Sequence, residues 1–437
     1  MLDIRLIRDN PQFVKDRLAT RGGEFSEWGG QTLNKCLSPV SKIDEILDCD
    51  KQRRTTETRL QQIQADRKRI SKEIGAKKAK GEDTAEIEAQ VRGFGDEIAK
   101  LNTDATDLDN QVRDLLLQIP NLPHDGAPAG TSAEDNPEIK VWGEKPVFDF
   151  QLLDHLALGE SLGLLDMERA TKISGSGFAC FVGAGAKLER ALINFMLDLH
   201  SGSHGYKEVA PPLLIKPEAL VGTSQLPKFE EQLYRAERDD LYLAPTAEVP
   251  VTNLHREELL PLSALPKKYV SYTPCFRREA GAAGLGTRGL IRIHQFDKIE
   301  LVKIATPETS LQELDLLTAD AEKVLQLLGL HYRIIELCTG DIGFGSTKTY
   351  DIEVWAPGQN AYLEVSSCSS FGDYQARRMN LRFKDAEGKN RICHTLNGSG
   401  VACPRLFVAL LETYQQADGT VKIPEPLQPY FGAAAIG

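Results

Sequence analysis

Apolar residues recur at alternating spacings of four and three along one segment of the chain, and this pattern is typical of a helix in a coiled coil. The positions are Ile87, Val91, Phe94, Ile98, Leu101, Ala105, Leu108, Val112 and Leu115. A similar spacing precedes them at Leu60, Ile63, Arg67, Ile70 and Ile74, with Arg67 as the polar exception. Residues 80–83 separate the two segments as a turn. The pattern predicts two antiparallel helices over about residues 41–116, each of about 30 residues and about 45 Å long.

Charge is distributed unevenly over this predicted arm. Basic residues predominate between positions 51 and 80, at Lys51, Arg53, Arg54, Arg59, Arg67, Lys68, Arg69, Lys72, Lys77, Lys78 and Lys80. Acidic residues predominate between positions 82 and 114. The opposite charges favour helix pairing and leave a basic ridge suited to phosphate contacts. A solvated coiled coil explains the same charges, and the whole chain has a net charge of −11, so both interpretations stay open.

The segments on either side of the arm indicate the domain organisation. Asn10 and Pro11 start a short helix through Leu18, and residues 22–30 are rich in glycine. Prolines between positions 120 and 128 break helical structure. We therefore expect a helical domain over residues 1–118 and a second domain over 119–437. The second domain mixes strands and helices without a regular β-α-β repeat, which predicts an α+β fold with an antiparallel sheet and flanking helices.

Composition narrows the class of protein. The 437 residues are 41% hydrophobic and 26% charged, and no apolar run approaches the roughly 18 residues of a membrane span. The first ten residues mix charges with apolar side chains, which is untypical of a signal peptide. Eight cysteines occur without a C-x-x-C pair, so we expect reduced thiols in the cytoplasm and neither a disulfide framework nor a zinc site. The glycines at 174–177 and 183–185 complete no nucleotide-binding fingerprint and predict structural loops.

One candidate site lies in residues 271–300. The pattern predicts a hairpin in which a strand precedes a glycine-punctuated loop and a second strand runs over residues 290–302. Arg277 and Glu279 lie two apart and would share one face of the first strand. A guanidinium beside a carboxylate is suited to hold a phosphate and a nucleobase amine. A cross-strand ion pair on a solvated sheet is the alternative.

A second candidate site lies in residues 394–405. Glycines at 398 and 400 favour a tight turn, and Pro404 is suited to the first turn of an apolar helix that follows. Arg405 then lies beside the free N–H groups of a helix start, where anions bind. A surface arginine is the ordinary alternative.

Together these two segments resemble motifs 2 and 3 of class II aminoacyl-tRNA synthetases. Four further segments are similar to seryl-tRNA synthetases of the bacterial type, and the resemblance extends over nearly the whole chain. These segments are residues 245–250, 294–298, 337–341 and 364–369. Residues 188–212 resemble motif 1, which builds the dimer interface of class II enzymes.

The resemblance implies a cytoplasmic homodimer that uses ATP and Mg²⁺ to convert L-serine to seryl-adenylate. The enzyme would then transfer serine to serine tRNA, and to selenocysteine tRNA where that exists. The arm would grip the long variable arm of the tRNA, and the motif 2 loop would touch the acceptor end. Two alternatives are a specialised paralogue that loads serine on another acceptor and an inactive tRNA-binding paralogue.

The resemblance also implies an ATP site. Its residues are Arg277, Arg278, Glu279, Ile293, Phe296, Glu364, Val365, Ser366, Ser367 and Arg405. Arg277 and Arg405 would be the catalytic arginines, on the α-phosphate and the γ-phosphate respectively. Glu279 would read the adenine amine and Phe296 would stack beneath the ring. Glu364 and Ser367 resemble the family's magnesium ligands.

A serine site is implied beside it. Its residues are Thr246, Ala247, Glu248, Arg277, Glu300, Asn397 and Ser399. Glu248 would bind the α-ammonium group, while Glu300 and Ser399 would lie near the side-chain hydroxyl, with Asn397 in support. Polar groups that only a hydroxyl satisfies reject alanine.

Five positions depart from the family pattern. Arg278, Leu285 and Gly286 differ in motif 2 and its loop, and we expect their effect on acceptor-end contacts. Leu363 precedes the first metal ligand, and Pro404 precedes Arg405, whose approach it could alter because proline fixes the backbone. A specialised second copy of the enzyme, such as one that tolerates a serine-mimicking inhibitor, is a hypothesis consistent with these changes.

Overall fold

The computed structural model describes residues 1–22, 39–280 and 289–437. Within these ranges the chain forms two compact units. One comprises residues 1–19 and 39–120, and the other comprises residues 20–22 and 121–437. The predicted glycine-rich loop over residues 22–30 and the departures at Leu285 and Gly286 lie largely or wholly outside the described residues.

The N-terminal unit is helical. Its helices are α1 (Ile4–Asp9), α2 (Pro11–Ala19), α3 (Pro39–Ala79) and α4 (Ala85–Leu117). Helices α3 and α4 form the predicted antiparallel arm. At 41 residues, α3 is longer than expected and measures about 60 Å. Ion pairs between the two helices join Arg59 to Glu97 at 2.9 Å and Lys78 to Glu88 at 2.7 Å, as the opposite charges suggest.

The predicted placement of Arg67 in the coiled-coil seam is wrong. Ile63 and Ile70 are buried, but the Arg67 side chain is exposed and its neighbour Asp66 is half-buried instead. The helix passes its partner here on spacings of three and four that include position 66. Arg67 therefore belongs to the basic ridge and not to the interface.

The C-terminal unit contains an eight-stranded sheet among its described residues. Its strands are β1 (Glu138–Trp142), β2 (Lys207–Glu208), β7 (Lys267–Phe276), β8 (Gln295–Ala305), β9 (Tyr332–Glu336), β10 (Lys348–Ala356), β11 (Ala361–Ser370) and β14 (His394–Ala402). The spatial order is β1-β9-β10-β11-β14-β8-β7-β2, and β2 with β7 is a parallel pair in an otherwise antiparallel sheet. The predicted α+β class is confirmed.

Short strands form three smaller sheets. They are β3 (Leu214–Ile215), β4 (Arg235–Ala236), β5 (Leu241–Leu243), β6 (Leu259–Pro261), β12 (Arg382–Lys384), β13 (Asn390–Ile392), β15 (Val421–Lys422) and β16 (Ala435–Ile436). The helices of this unit are α5 (His155–Ser161), α6 (Met167–Ser174), α7 (Ala184–Asp198), α8 (Pro217–Gly222), α9 (Glu248–Thr252), α10 (Ser310–Leu327), α11 (Tyr374–Met379), α12 (Cys403–Tyr414) and α13 (Gln428–Phe431).

The main core lies on one side of the large sheet. Apolar residues of α7, α10 and α12, such as Leu192, Leu317 and Phe407, pack with residues of the sheet such as Leu301, and all four are at most 1% exposed. Because side chains alternate along a strand, the even-numbered residues of β8 face the other side. That side carries the charged groups described below.

Two predicted local structures need correction. Strand β7 ends at Phe276 and β8 begins at Gln295, so Arg277 and Glu279 lie in the connection and not on a strand. Glu279 has a φ of 46°, which no strand residue adopts. The glycines at 398 and 400 form no turn, since both lie within β14.

Three further observations concern membrane helices, cysteines and groups of metal ligands. Among the described residues, no helix is long and apolar enough to cross a membrane. The cysteines in the described part of the chain are free thiols. The same residues contain no group of three or more His, Cys, Asp or Glu side chains that could hold a metal ion by themselves.

Gly185, in the first turn of α7, predicts a local test of the fold. A Cβ atom at this position would overlap the carbonyl oxygen of Leu164, which is backbone and cannot rotate away. Gly185→Ala should therefore lower the free energy of unfolding by about 1–3 kcal/mol, measured by chemical denaturation. Gly93→Ala in α4 is the control, because its Cβ would meet nothing within 4 Å. We expect that change to be neutral or stabilising by up to about 1 kcal/mol. Equal stability of Gly185→Ala and the parent protein would contradict the packing argument.

Candidate active site

A cavity of about 380 Å³ opens on the charged side of the large sheet. Its lining residues are Thr246, Glu248, Arg277, Glu279, Leu290, Ile291, Arg292, Ile293, Phe296, Lys298, Glu300, Glu364, Val365, Ser367, Ser369, Phe371, Asn397, Ser399, Ala402, Pro404 and Arg405. The structure thus brings together thirteen of the sixteen residues that the sequence predicts for the site. They come from segments that are up to 159 positions apart, since the site runs from Thr246 to Arg405.

Three predicted residues do not line this cavity. Ala247 is fully buried in the wall behind it. The backbone N–H of Arg278 donates to the carbonyl oxygen of Gln232 at 2.9 Å, on the outer side of the connection. The Ser366 hydroxyl donates to the carbonyl oxygen of Ser399 at 2.6 Å, so it joins β11 to β14 below the floor.

Arg277 is held where β7 ends. Its backbone N–H donates to the His294 carbonyl oxygen at 2.8 Å, and its Nε donates to the Pro245 carbonyl oxygen at 3.2 Å. The guanidinium lies over the Phe296 ring with 5.2 Å to the centroid, a cation–π arrangement. These contacts fix the guanidinium plane while its terminal nitrogens have no hydrogen-bond partner among the described residues.

The cavity lining also contains an ion pair between Arg292 and Glu279, and the sequence alone did not single out Arg292. Arg292 donates to the Glu279 carboxylate at 2.9 Å, across the two ends of the connection between β7 and β8. Arg292 is 44% exposed at its side chain. An arginine 13 positions after its glutamate partner had no distinguishing pattern in the sequence.

A β-bulge arranges Glu364 and Ser367. Ser366 pairs with Ile352 and Glu364 pairs with Glu353, so one extra residue is inserted in β11 between them. The inserted residue moves Glu364 and Ser367, three positions apart, to the same face of the sheet. Asp351 lies opposite Ser367, and its buried Oδ1 has no hydrogen-bond partner within the described residues.

A second bulge follows Ser399 in β14. In β14, Ser399 pairs with Glu300 and Val401 pairs with Ile299, which leaves Gly400 as the extra residue. Val401 takes a φ of 120°, a conformation that L-residues rarely adopt. A Cβ at Gly400 would lie 3.0 Å from His200 Nε2, so glycine suits this crowded position. The bulge places Ser399 and Ala402, three positions apart, on the same face of the sheet, opposite Glu300 and Lys298 respectively.

Arg405 occupies the first turn of α12, as predicted. Its Nε donates to the Ile291 carbonyl oxygen at 3.1 Å and its Nη1 donates to the Glu364 carbonyl oxygen at 2.6 Å. The Glu364 carboxylate lies farther away, with 3.8 Å between Oε2 and Nη1. Pro404 precedes it at the helix start, where its missing N–H leaves no helical hydrogen bond unmade.

A buried acidic cluster forms the deepest charged part. Lys298 Nζ pairs with the Glu300 carboxylate and donates to Thr246 Oγ1 at 2.9 Å. Glu248 accepts a hydrogen bond from the buried Gln375 amide at 2.7 Å. Burial, and then the nearby Glu300 carboxylate, raise the pKa of Glu248 to about 7. Lys298 was not predicted as a site residue, because two residues with opposite charges on one strand resemble an ordinary surface pair.

In the described part of the chain, the lining contains four cationic side chains (Arg277, Arg292, Lys298, Arg405) and four carboxylates (Glu248, Glu279, Glu300, Glu364). Such a site can bind a ligand that carries both phosphates and an ammonium group. The Asn397 amide nitrogen is a further donor, buried and without a hydrogen bond of ordinary geometry among the described residues. Among the described residues, the lining contains neither cysteine nor histidine, so these residues form no Ser–His or Cys–His nucleophile pair there.

Comparison with known proteins gives two matches to protein families. Residues 31–123 match the seryl-tRNA synthetase N-terminal domain. Residues 228–414 match the class II core domain of tRNA synthetases for G, H, P, S and T. The serine–tRNA ligase of Akkermansia muciniphila is 57% identical over 100% of this chain and 99% of its own length. That of Pseudomonas fluorescens is 49% identical over the full length of both chains.

Solved structures give the same result. The seryl-tRNA synthetase of Pyrococcus horikoshii, complexed with ATP, is similar with a TM-score of 0.91 and 37% identity over 100% of this chain and 99% of that one. The cytoplasmic serine–tRNA ligase of Naegleria fowleri, in complex with AMP, has a TM-score of 0.86 and 27% identity over 100% and 98% of the two chains.

Proposed function

The chain belongs to the seryl-tRNA synthetase family and is an enzyme of the serine–tRNA ligase class, and from this premise we propose that it activates L-serine with ATP as seryl-adenylate before it charges serine tRNA. The observation that carries the proposal is the joint placement of Arg277, Arg405, Glu248 and Glu300 around one cavity. The two arginines suit the phosphates of ATP, and the two glutamates suit the ammonium and hydroxyl groups of an amino acid.

The activation step requires positioning more than acid–base chemistry. The serine carboxylate is already ionised at neutral pH and attacks the α-phosphorus of ATP, with pyrophosphate as the leaving group. Arg277 would contact both the carboxylate and the α-phosphate, which brings the reacting atoms together and offsets the negative charge that develops. Its rigid mounting on Pro245 and Phe296 supports this role.

The remaining ATP contacts follow from the cavity walls. Arg405, at the start of α12, would bind the γ-phosphate beside the helix N-terminus. Phe296 offers an aromatic surface and Ile293 a backbone edge for the adenine, while Glu279 would accept from its amine. Val365 would contribute as part of the cavity wall, whereas Arg278 and Ser366 would contribute by their position next to these groups.

The residues at the β11 bulge fit Mg²⁺. Glu364 and Ser367 provide oxygen ligands on one face, and Asp351 Oδ1 behind Ser367 is a buried oxygen without a hydrogen-bond partner among the described residues. When bound with ATP, the ion would offset phosphate charge. The chain's own contribution is to hold these oxygens in place by the pairing of β10 with β11.

The serine end of the site would read the ammonium and the hydroxyl separately. Glu248 would bind the ammonium group, and Glu300 with Ser399 would bind the hydroxyl, with Thr246, Ala247 and Asn397 shaping the wall.

The basic ridge of α3 would bind the long variable arm of serine tRNA through its phosphates. We further propose a cytoplasmic homodimer that also charges selenocysteine tRNA where it exists. Glu364 and Arg405 within the cavity argue against an inactive paralogue, and the basic ridge argues against a non-tRNA acceptor.

Loss of either catalytic arginine tests the phosphate roles. Arg277→Ala and Arg405→Ala should each lower serine-dependent exchange of pyrophosphate into ATP by about 100-fold or more, with the fold unchanged by circular dichroism. Arg333→Ala is the matched control, because Arg333 lies on β9 of the same sheet and pairs with Glu353 at 2.6 Å, outside the cavity. Exchange near the parent rate in either cavity variant would overturn its assignment.

Serine use should depend on pH through Glu248. The ammonium group of serine would pair with Glu248 only in its carboxylate form, and the pKa of Glu248 in the free protein is about 7. The value of kcat/KM for serine should therefore fall about tenfold for each pH unit below 7 and level off above it. Glu248→Gln should lower kcat/KM at pH 8 and abolish the break in the profile. The charged groups that face Glu248 are Glu300 and Lys298. A break near pH 7 that persists in Glu248→Gln would assign it to another group.

The arm should matter for tRNA charging but not for serine activation. Arg67, Lys68 and Lys72 are exposed on α3, and their replacement by glutamine removes three phosphate partners. We expect unchanged pyrophosphate exchange, at least about tenfold weaker tRNA charging and a shallower salt dependence of tRNA binding. A control replaces the exposed Lys384, Lys389 and Lys422 of the C-terminal unit. Equal charging by both triple variants would refute the role of the arm.

A further inference from the structure

We propose that Lys298 is a positioning residue that holds Glu300 as the acceptor for the side-chain hydroxyl of the amino acid and leaves Glu248 as the partner of its ammonium group. The inference rests on the proposed function and adds a determinant of specificity to it. Lys298 and Glu300 lie two apart on β8, so both side chains project into the cavity from the same face.

The first step of the argument is the hydrogen-bond direction at Thr246. Its Oγ1 accepts from Lys298 Nζ at 2.9 Å and from the backbone N–H of Glu248 at 3.2 Å. With two donors already aimed at this oxygen, its own hydrogen points to Glu300 Oε2, 3.3 Å away. Lys298 thus determines which way the Thr246 hydroxyl is oriented.

The second step concerns the two oxygens of Glu300. Oε2 is contacted by both the Lys298 ammonium and the Thr246 hydroxyl. Oε1 has no donor among the described residues, and Glu300 pairs across the ladder with Ser399. The carboxylate therefore offers one oxygen to a ligand in a fixed orientation. An acceptor of this kind binds a hydroxyl and is left unpaired by a methyl group.

The third step is the separation of two carboxylates in one cavity. An incoming ammonium could pair with either Glu248 or Glu300. Lys298 compensates Glu300, whereas Glu248 accepts a hydrogen bond from the neutral amide of Gln375 at 2.7 Å. The Thr395 hydroxyl donates to the oxygen of that amide at 2.7 Å, so the nitrogen side must face Glu248. The raised pKa of Glu248 agrees with a carboxyl group that lacks its own cation.

A purely structural ion pair is the alternative, and the same strand provides the comparison. Lys303, five positions further along β8, is fully buried and pairs with Glu313 at 2.8 Å. An odd spacing places it on the opposite face, against α10. Loss of Lys303 therefore removes a buried lysine–glutamate pair from the same strand without any change in the cavity.

The experiment compares Lys298→Met, Lys298→Gln and Lys298→Arg with Lys303→Met in the full-length protein. For each, kcat/KM in pyrophosphate exchange is measured with serine and with alanine, together with the KM for ATP. We expect the serine-to-alanine ratio to fall at least about tenfold in Lys298→Met and Lys298→Gln, mainly through a higher KM for serine. Lys298→Arg should retain most of the ratio, and the KM for ATP should stay within about twofold.

Lys303→Met should keep the parental ratio whatever its effect on stability. If Lys298→Met does not fold, Lys298→Gln, which keeps an N–H donor in the buried site, gives the same test. An unchanged ratio in the folded Lys298 variants, or an equal fall in Lys303→Met, would overturn the proposal. These outcomes are distinct from failure of the proposed function, which would appear as absence of serine-dependent exchange in the parent protein.

Discussion

The site depends on a sheet of which one face is filled by apolar helices, because this arrangement turns alternate residues of the same strands into a polar floor. In β8, Ile299 and Leu301 are fully buried in the core, while Lys298 and Glu300 alternate with them and face the other side. Alternation by itself would place the polar residues in fixed rows. The site needs other positions, and the bulges in β11 and β14 supply them.

Each bulge changes which residues share a face. Without the extra residue in β11, Glu364 and Ser367 would point to opposite sides of the sheet. Gly400 does the same for Ser399 and Ala402, which pair with Glu300 and Lys298, and the unusual backbone of Val401 lies between them. Such irregularities are typical of functional positions, where a side chain must be aimed. The ligand geometry of the cavity is therefore built into the strand pairing and not into flexible loops.

The sequence predicted the parts of this protein that depend on local chemistry. The two long helices follow from apolar spacing, and the position of Arg405 follows from a proline and an apolar run that start a helix. The pairing register does not follow from local chemistry, so Gly400 was assigned to a turn although it is a bulge. Lys298 was missed for a related reason. Its role comes from Thr246, 52 positions away, and a single sequence holds no signal for that contact. Arg67 shows the same limit in a helix, since a change from four to three in the spacing moved it from the seam to solvent.

Buried charges of this kind are a poor way to stabilise a fold, because their desolvation offsets much of the Coulomb attraction. Apolar residues in place of Lys298, Glu300 and Glu248 would fill the same space at lower cost. The excess of carboxylate over ammonium in this cluster is therefore better explained by the ligand. An amino acid brings one cation, which completes the charge balance at Glu248, and one hydroxyl, which completes the hydrogen bonds at Glu300. A ligand without the hydroxyl leaves a buried acceptor unpaired, and that penalty is larger than the energy of a single contact. The same buried charged groups that lower the stability of the fold thus allow the site to distinguish an amino acid with a hydroxyl from one without it.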